Sequence, residues 1–194
     1  MTRIKICGIK RSEDIGVINE VKPEYIGFVF TQSPRQISHS KAKDLREMLD
    51  TDIQSVGVFA NEDPSKIASL VDNGTIDLIQ LHGAEDDNYI LLLKELCDAP
   101  IIKALTPLEP SPIHADYLLL DSKGGGTGKT FDWSLIGHQD KPFFLAGGLS
   151  KDNVCEAIRK VKPFAVDASS HLETMGLKDS DKIAEFIHLA RSAK

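Results

Sequence analysis

The stretch KGGGTGKT, residues 123–130, decides between two kinds of α/β protein. A nucleotide-binding P-loop reads Gly, four residues, then Gly-Lys-[Ser/Thr], so that successive backbone N–H groups curl around a phosphate and the lysine reaches its far side. Counted back from Gly128-Lys129-Thr130, the first glycine falls at position 123, which is Lys123. The loop is one residue short. It also comes late in the chain, whereas a P-loop follows a first strand and is succeeded by a Mg²⁺-binding acid. The glycines therefore ask for another role, as a loop following the apolar run YLLLDS at 117–122.

Outward from that run, short β-rich segments alternate with helical ones along the whole chain. The strand-like runs are RIKICGI (3–9), YIGFVF (25–30), IQSVGVFA (53–60), DLIQLHG (77–83), PIIKALT (100–106), YLLLDS (117–122), PFFLAGG (142–148) and FAVDASS (164–170). Between them lie SEDIGVINEV, SHSKAKDLREML, DPSKIASLVDN, EDDNYILLLKELC, WSLIG, SKDNVCEAIRKV and DSDKIAEFIHLARSA, which carry helical periodicity. DPSK and SKDN offer N-cap residues, and Pro64 suits a first helical position. Strand starts recur at roughly 22 to 28 residues, the length of one βα unit, with one shorter interval between the fifth and sixth. That interval, PLEPSPIHAD, is too proline-rich for an ordinary crossover helix. Eight units predict an α/β fold: a single-domain (βα)8 TIM barrel over residues 1–194, with a shortened or irregular fifth crossover. The alternative is a doubly wound open sheet, which usually needs only about five or six strands.

Composition narrows the partners. The chain has 194 residues, 41% of them hydrophobic, and a formal charge of −6. With no long basic run, neither a generic nucleic-acid surface nor an anionic membrane surface is indicated. The N-terminus MTRIKICGIK has no apolar leader core, and no apolar run approaches the roughly eighteen residues of a membrane span, so a cytoplasmic protein is expected. Cys7, Cys97 and Cys155 are far apart and without CxxC spacing, which indicates neither a disulfide framework nor a zinc site.

In a barrel, active sites lie at the C-terminal ends of the strands, and inward-facing residues are spaced by two. Cys7 closes the first run after Ile4 and Ile6 take the helix-facing positions. His82 closes the fourth on the face of Gln80, Asp121 follows Leu118-Leu119-Leu120, and Asp167 lies two residues before Ser169. Arg35 sits in the polar loop SPRQIS after the second run. Each has a bland alternative: packing for the cysteine, a cap or turn for Asp121, a structural hydrogen bond for His82, a surface ion pair for Arg35. Their common rim favours function. Ala146-Gly147-Gly148 and Ser169-Ser170 follow the last two strands, where barrels often bind phosphate through backbone N–H groups; the alternative is that the glycines only end a strand before a Ser150 cap.

In order, KICGIK, GFVF with SPR, VGVFAN, IQLHG, LLLDS, GKTFDW, LAGGL with DNV, and PFAVDASS resemble the phosphoribosylanthranilate isomerase family of tryptophan biosynthesis, from residue 3 to about 180. The resemblance implies the Amadori rearrangement of N-(5-phosphoribosyl)anthranilate to 1-(2-carboxyphenylamino)-1-deoxyribulose 5-phosphate. It puts the general base on Cys7 and the general acid on Asp121. It puts the contact to the anthranilate portion on Arg35, polar pocket roles on His82 and Asp167, and the phosphate region on Gly147, Gly148, Ser169 and Ser170. KGGGTGKTFDW resembles the family's loop over the active site. The partner so implied is a small phosphorylated sugar–anthranilate, with no metal, nucleotide or redox cofactor, and the chain acts as a monomer or homodimer.

Three features depart from the family pattern. His171 stands where the family has glycine after SS, which matters if that position needs positive φ. The loop at 107–115 looks trimmed, and the loop after Asp121 is compact. Other possibilities are a sugar-phosphate isomerase of the histidine pathway, which calls for a carboxylate where Cys7 stands, a non-catalytic barrel binding a phosphate ester, and, more distantly, a nucleotide binder.

Overall fold

Alternation along each strand separates a helix-facing side from an inner side, and both are apolar enough to be buried. In the computed structural model, which describes residues 1–122 and 130–193, the eight runs become β1 (Arg3–Cys7), β2 (Tyr25–Val29), β3 (Gln54–Phe59), β4 (Leu78–Leu81), β5 (Ile101–Leu105), β6 (Tyr117–Leu120), β7 (Phe143–Leu145) and β8 (Ala165–Ala168). They form a closed parallel barrel in sequence order. Closure is made by β8 returning to β1, with Arg3 opposite Ala165 and Lys5 opposite Asp167. Residues 123–129, the glycine loop, lie outside the described residues.

The helices are α1 (Ser12–Val21), α2 (His39–Glu47), α3 (Pro64–Asp72), α4 (Asp87–Leu96), α5 (Val154–Val161) and α6 (Ser180–Ser192). Their starts follow local chemistry. Asp63 accepts from the Ser65 N–H with Pro64 leading α3, Asp86 accepts from Tyr89 N–H, and Asp179 accepts from the N–H groups of Asp181 and Lys182. The fifth crossover, as expected, has no helix, and the WSLIG segment forms only a 3-10 turn at Trp133–Leu135. The SKDN start is displaced: residues 151–153 form a turn and α5 begins at Val154. Asn153 caps nothing there, because its Oδ1 accepts from Ser150 N–H and its Nδ2 donates to Gly148 C=O, bracing the loop after β7.

Helix-facing Ile4, Ile6, Ile26, Phe28, Leu81 and Val166 pack with Ile15, Leu45, Ile67, Leu93 and Phe186 of the surrounding helices. Inside the barrel, Tyr25, Val56, Leu78, Ile102, Leu119, Phe144 and Ala165 form a separate apolar cluster. This plug fills one part of the interior and leaves the C-terminal mouth to polar residues. After β8 comes a short antiparallel hairpin, β9 (Glu173–Thr174) and β10 (Leu177–Lys178), that the strand pattern does not predict. Its turn, Met175-Gly176, has both residues at positive φ, as two-residue hairpin turns of the primed kind require. Among the described residues no helix is long and apolar enough to cross a membrane.

Candidate active site

Cys7 ends β1 opposite Gly27 of β2. A Cβ on Gly27 would come within 2.7 Å of Cys7 Sγ, so the bare position makes room for the sulfur on the inner face. Two residues earlier on that face, Lys5 is wholly buried and donates to Gln80 Oε1 and Asp167 Oδ2, each at 2.9 Å. Burial works against its charge, but Asp167 and Cys7 outweigh it and hold the ammonium above its ordinary range. Lys5 is thus a fixed cation beside the thiol. Burial pushes the Cys7 thiol up, and the Lys5 and Lys178 cations oppose this without cancelling it.

Asp121 follows β6, its N–H bonded to Leu105 C=O at 3.0 Å. Its Oδ1 accepts from Ser122 N–H at 2.7 Å, and Oδ2 lies 3.7 Å from His82 Nε2. Burial raises the Asp121 pKa, with His82 and the Ser122 amide in partial opposition. His82 is shifted down, mainly by burial, although Asp121 pulls it up. Both shifts favour a neutral carboxylic acid beside a neutral imidazole. Of the three preceding leucines only Leu119 belongs to the interior cluster. The other side of Asp121 is closed by the loop after β7: Gly147 has φ of +84°, and a Cβ there would sit 2.9 Å from Asp121 Oδ1. Only glycine combines that backbone with that approach.

A polar chain joins the two halves of the mouth. Gln80 Nε2 lies 3.1 Å from His82 Nδ1 while Gln80 Oε1 accepts from Lys5, so His82, Gln80, Lys5 and Asp167 are linked side by side. Asp167 Oδ1 is buried and has no partner among the described residues. Ser169 Oγ donates to Cys7 C=O at 2.9 Å, which ties the end of β8 to the end of β1.

Cys7, Arg35, His82, Asp121, Gly147, Gly148, Asp167, Ser169 and Ser170 all line one cavity of about 500 Å³. Cys7, His82, Asp121 and Asp167 meet as the alternation predicts. Gly147 and Gly148, both at positive φ, and Ser169 and Ser170 border the same cavity beside a 3-10 turn at Ser170–Leu172. His171 also lines it but is absent from the positive-φ positions, so this chain has no backbone need for glycine there. Arg35 reaches the cavity wall, yet it is no loose surface pair: Nε and Nη2 donate to the two carboxylate oxygens of Glu173 at 2.6 and 3.0 Å. Lys178 Nζ donates to Glu173 Oε1 at 2.8 Å and to Ser169 C=O at 3.0 Å.

Lys5, Glu173 and Lys178 escaped the sequence reading. Lys5 was detectable, since it shares the parity of Cys7 on β1. Glu173 and Lys178 were not, because strands of two residues carry no period. Among the described residues, no group of three or more His, Cys, Asp or Glu side chains is disposed to hold a metal.

The profile of the N-(5′-phosphoribosyl)anthranilate (PRA) isomerase family matches residues 4–189. The N-(5′-phosphoribosyl)anthranilate isomerase of Endomicrobium trichonymphae is 46% identical over 199 residues, covering 99% of this chain and 100% of its own. The crystal structure of phosphoribosyl anthranilate isomerase from Thermus thermophilus superposes with a TM-score of 0.88 at 28% identity, covering all of both chains. A phosphoribosyl anthranilate isomerase crystallised with reduced 1-(o-carboxyphenylamino)-1-deoxyribulose 5-phosphate superposes with a TM-score of 0.83 at 35% identity, covering 98% of this chain and 99% of its own.

Proposed function

This chain belongs to the N-(5′-phosphoribosyl)anthranilate isomerase family, and on that premise we propose that Asp121 is the general acid and Cys7 the general base of its reaction. The reaction is the Amadori rearrangement of N-(5′-phosphoribosyl)anthranilate to 1-(2-carboxyphenylamino)-1-deoxyribulose 5-phosphate, an intramolecular aldose–ketose isomerisation in tryptophan biosynthesis. The observation that carries the assignment is that two buried groups face one cavity and only one of them, Cys7, has lysine ammonium groups beside it. Asp121 is biased by burial toward its protonated form, whereas Cys7 is flanked by the cations Lys5 and Lys178.

The steps follow from those settings. Protonated Asp121 gives its proton to the furanose ring oxygen as the anilino nitrogen lone pair expels it, and C1 becomes an iminium. The Asp121 carboxylate left behind gains from His82 at 3.7 Å and from the Ser122 N–H at 2.7 Å. Cys7, having released its proton to solvent before the step and held as the thiolate by Lys5, Lys178 and the iminium charge, removes the proton from C2 and is left as the thiol. The resulting enolamine tautomerises to the ketone. Arg35 holds the anthranilate carboxylate by charge-assisted hydrogen bonds, and Asp167, whose Oδ1 has no partner among the described residues, and His82 meet sugar hydroxyls. Backbone N–H groups around Gly147, Gly148, Ser169 and Ser170 receive the phosphate. Every step is a proton transfer, so the proposal calls for no metal, nucleotide or redox cofactor.

The proposal treats residues 1–194 as one catalytic domain, cytoplasmic like its pathway and active as a monomer or homodimer; light scattering distinguishes the last two. The deciding measurement is the loss of fluorescence of freshly generated phosphoribosylanthranilate. Turnover by wild type, with losses on the order of 10²-fold or more in Cys7→Ala and Asp121→Asn, is the expected result. Full activity in either folded variant removes that residue from its role.

A further inference from the structure

Glu173 has no part in the chemistry above, yet it is among the most firmly bound carboxylates at the mouth. Its side chain is 10% exposed and meets Arg35 through both oxygens and Lys178 through Oε1. Burial raises its pKa, but the bonds from Arg35 and Lys178 outweigh this and keep it below the ordinary glutamate value, so it is an anion. The hairpin puts it there: Glu173 and Lys178 are register partners across β9 and β10.

The geometry of Arg35 gives this anion a purpose. A guanidinium has five N–H donors in one plane. Glu173 occupies the edge made by Nε and Nη2, and no other hydrogen bond of the Arg35 guanidinium is made among the described residues. The end-on edge, formed by Nη1 and the second Nη2 hydrogen, remains for a second carboxylate in the bidentate arrangement. The stem of Arg35 is fixed as well, because it lies against Gly8, where a Cβ would come within 2.5 Å of Arg35 Cδ and the backbone φ is +84°. Arg35 is therefore held at its stem by a bare backbone and at its head by a carboxylate.

We propose that Glu173 is a positioning residue for substrate selection, gripping one edge of Arg35 so that the other edge faces the aromatic carboxylate of the substrate. This rests on the reading of Arg35 as the carboxylate-binding residue. Glu173 and the substrate carboxylate share one guanidinium, as two anions on different edges of one cation. Lys178, bonded to Oε1, offsets part of the repulsion between them.

The test compares two inhibitors: reduced 1-(2-carboxyphenylamino)-1-deoxyribulose 5-phosphate and its counterpart lacking the carboxyl group. Inhibition constants are measured for wild type, Arg35→Met, Glu173→Gln and Glu173→Asp, with thermal melting to confirm folding. Wild type prefers the carboxylated inhibitor, and Arg35→Met abolishes the preference. Glu173→Gln weakens the carboxylated inhibitor by about tenfold, leaves the other unchanged, and raises KM for phosphoribosylanthranilate far more than it lowers kcat. Glu173→Asp, which keeps the charge but withdraws it by one methylene, restores part of the preference and replaces the Gln variant if that one fails to fold. Equal weakening of both inhibitors overturns the proposal in favour of a structural role. Tighter binding of the carboxylated inhibitor by Glu173→Gln overturns it too, since Glu173 would then be a competitor for Arg35. If Arg35→Met keeps the preference, the Arg35 reading itself fails and takes this proposal with it. If Arg35→Met loses it while Glu173→Gln does not, only the present proposal fails.

Discussion

Among the described residues, Lys5–Asp167 and Lys103–Glu85 are buried lysine–carboxylate pairs of equal length in the barrel, each at 2.9 Å. They differ in completeness. Glu85 also accepts from Asn61 N–H at 2.6 Å and Gly83 N–H at 2.9 Å, and Lys103 also donates to Gly83 C=O at 2.7 Å. That pair lies outside the barrel wall, since Ile102 and Ala104 on either side of Lys103 face inward. It locks the loops after β3 and β4 together, and each of its charged atoms has at least one partner. Lys5–Asp167 lies inside the mouth, with Asp167 Oδ1 unpaired among the described residues and a thiol next to the ammonium. A satisfied buried ion pair braces; an unsatisfied one in a cavity is left with bonds to offer a ligand.

Replacing Lys5 breaks this contrast most sharply. Lys5→Met strands Asp167 and removes the cation opposing the burial of Cys7, so kcat is expected to fall on the order of 10²-fold. Alkylation of Cys7 by iodoacetamide should move to higher pH in the same variant, followed on the Cys7 peptide with Cys97 and Cys155 as internal references. An unchanged alkylation profile would show that Lys5 does not act on the thiol.

Glu85→Gln tests the other pair. It leaves Lys103 buried without its counter-charge and should cost about 3 kcal/mol in urea unfolding, while kcat of the folded enzyme stays within about threefold. A comparable loss of turnover would erase the distinction between the pairs.

Proton linkage sharpens the comparison further. Glu85 is held below its ordinary value: burial raises it, but the Asn61 amide and Lys103 outweigh that. Its stabilisation is therefore fully present above the ordinary glutamate pKa and is lost as pH falls through the folded value. Asp121 is shifted the other way, chiefly by burial, so the fold binds its proton more tightly than the unfolded chain does, and stability is lost as pH rises through the interval between the two values. At neutral pH Asp121→Asn should accordingly unfold at the same or higher urea concentration than wild type, whereas Glu85→Gln unfolds at a lower one. A destabilised Asp121→Asn contradicts the assigned protonation.

The smallest effect belongs to the hairpin carrying a third buried lysine, Lys178. Met175 is 97% exposed with φ of +52°, a conformation that disfavours any side chain. Met175→Gly should raise stability by up to about 1 kcal/mol in urea melts without changing KM. A raised KM would mean that the turn itself touches the path from Glu173 to Arg35.

Much of this was written locally. KICGI, QLHG, LLLD and AVDAS each place a polar residue on the inner parity at a strand end, and alternation is a property of a single strand, legible without its neighbours. The proline-rich 107–116 segment announced a crossover without a helix. Ser150 does cap the SKDN segment, its Oγ accepting from Asp152 N–H, but what it caps is a turn, and α5 starts only at Val154 because Asn153 braces the loop through the Gly148 carbonyl, a contact that composition does not encode. Whether His171 carries a backbone penalty depended on the sign of its φ, and the chain there turns through a 3-10 segment without positive φ.

By itself, then, the sequence determined eight strands in barrel order, the strand faces, and the chemical identities of the groups at the mouth. Only the tertiary structure decided which charges meet: Lys5 finds Asp167 across 162 residues, and Arg35 finds Glu173 across 138. The physical reason is that periodicity acts over neighbouring residues, whereas those pairings exist only once β8 has closed on β1 and the hairpin after it has formed.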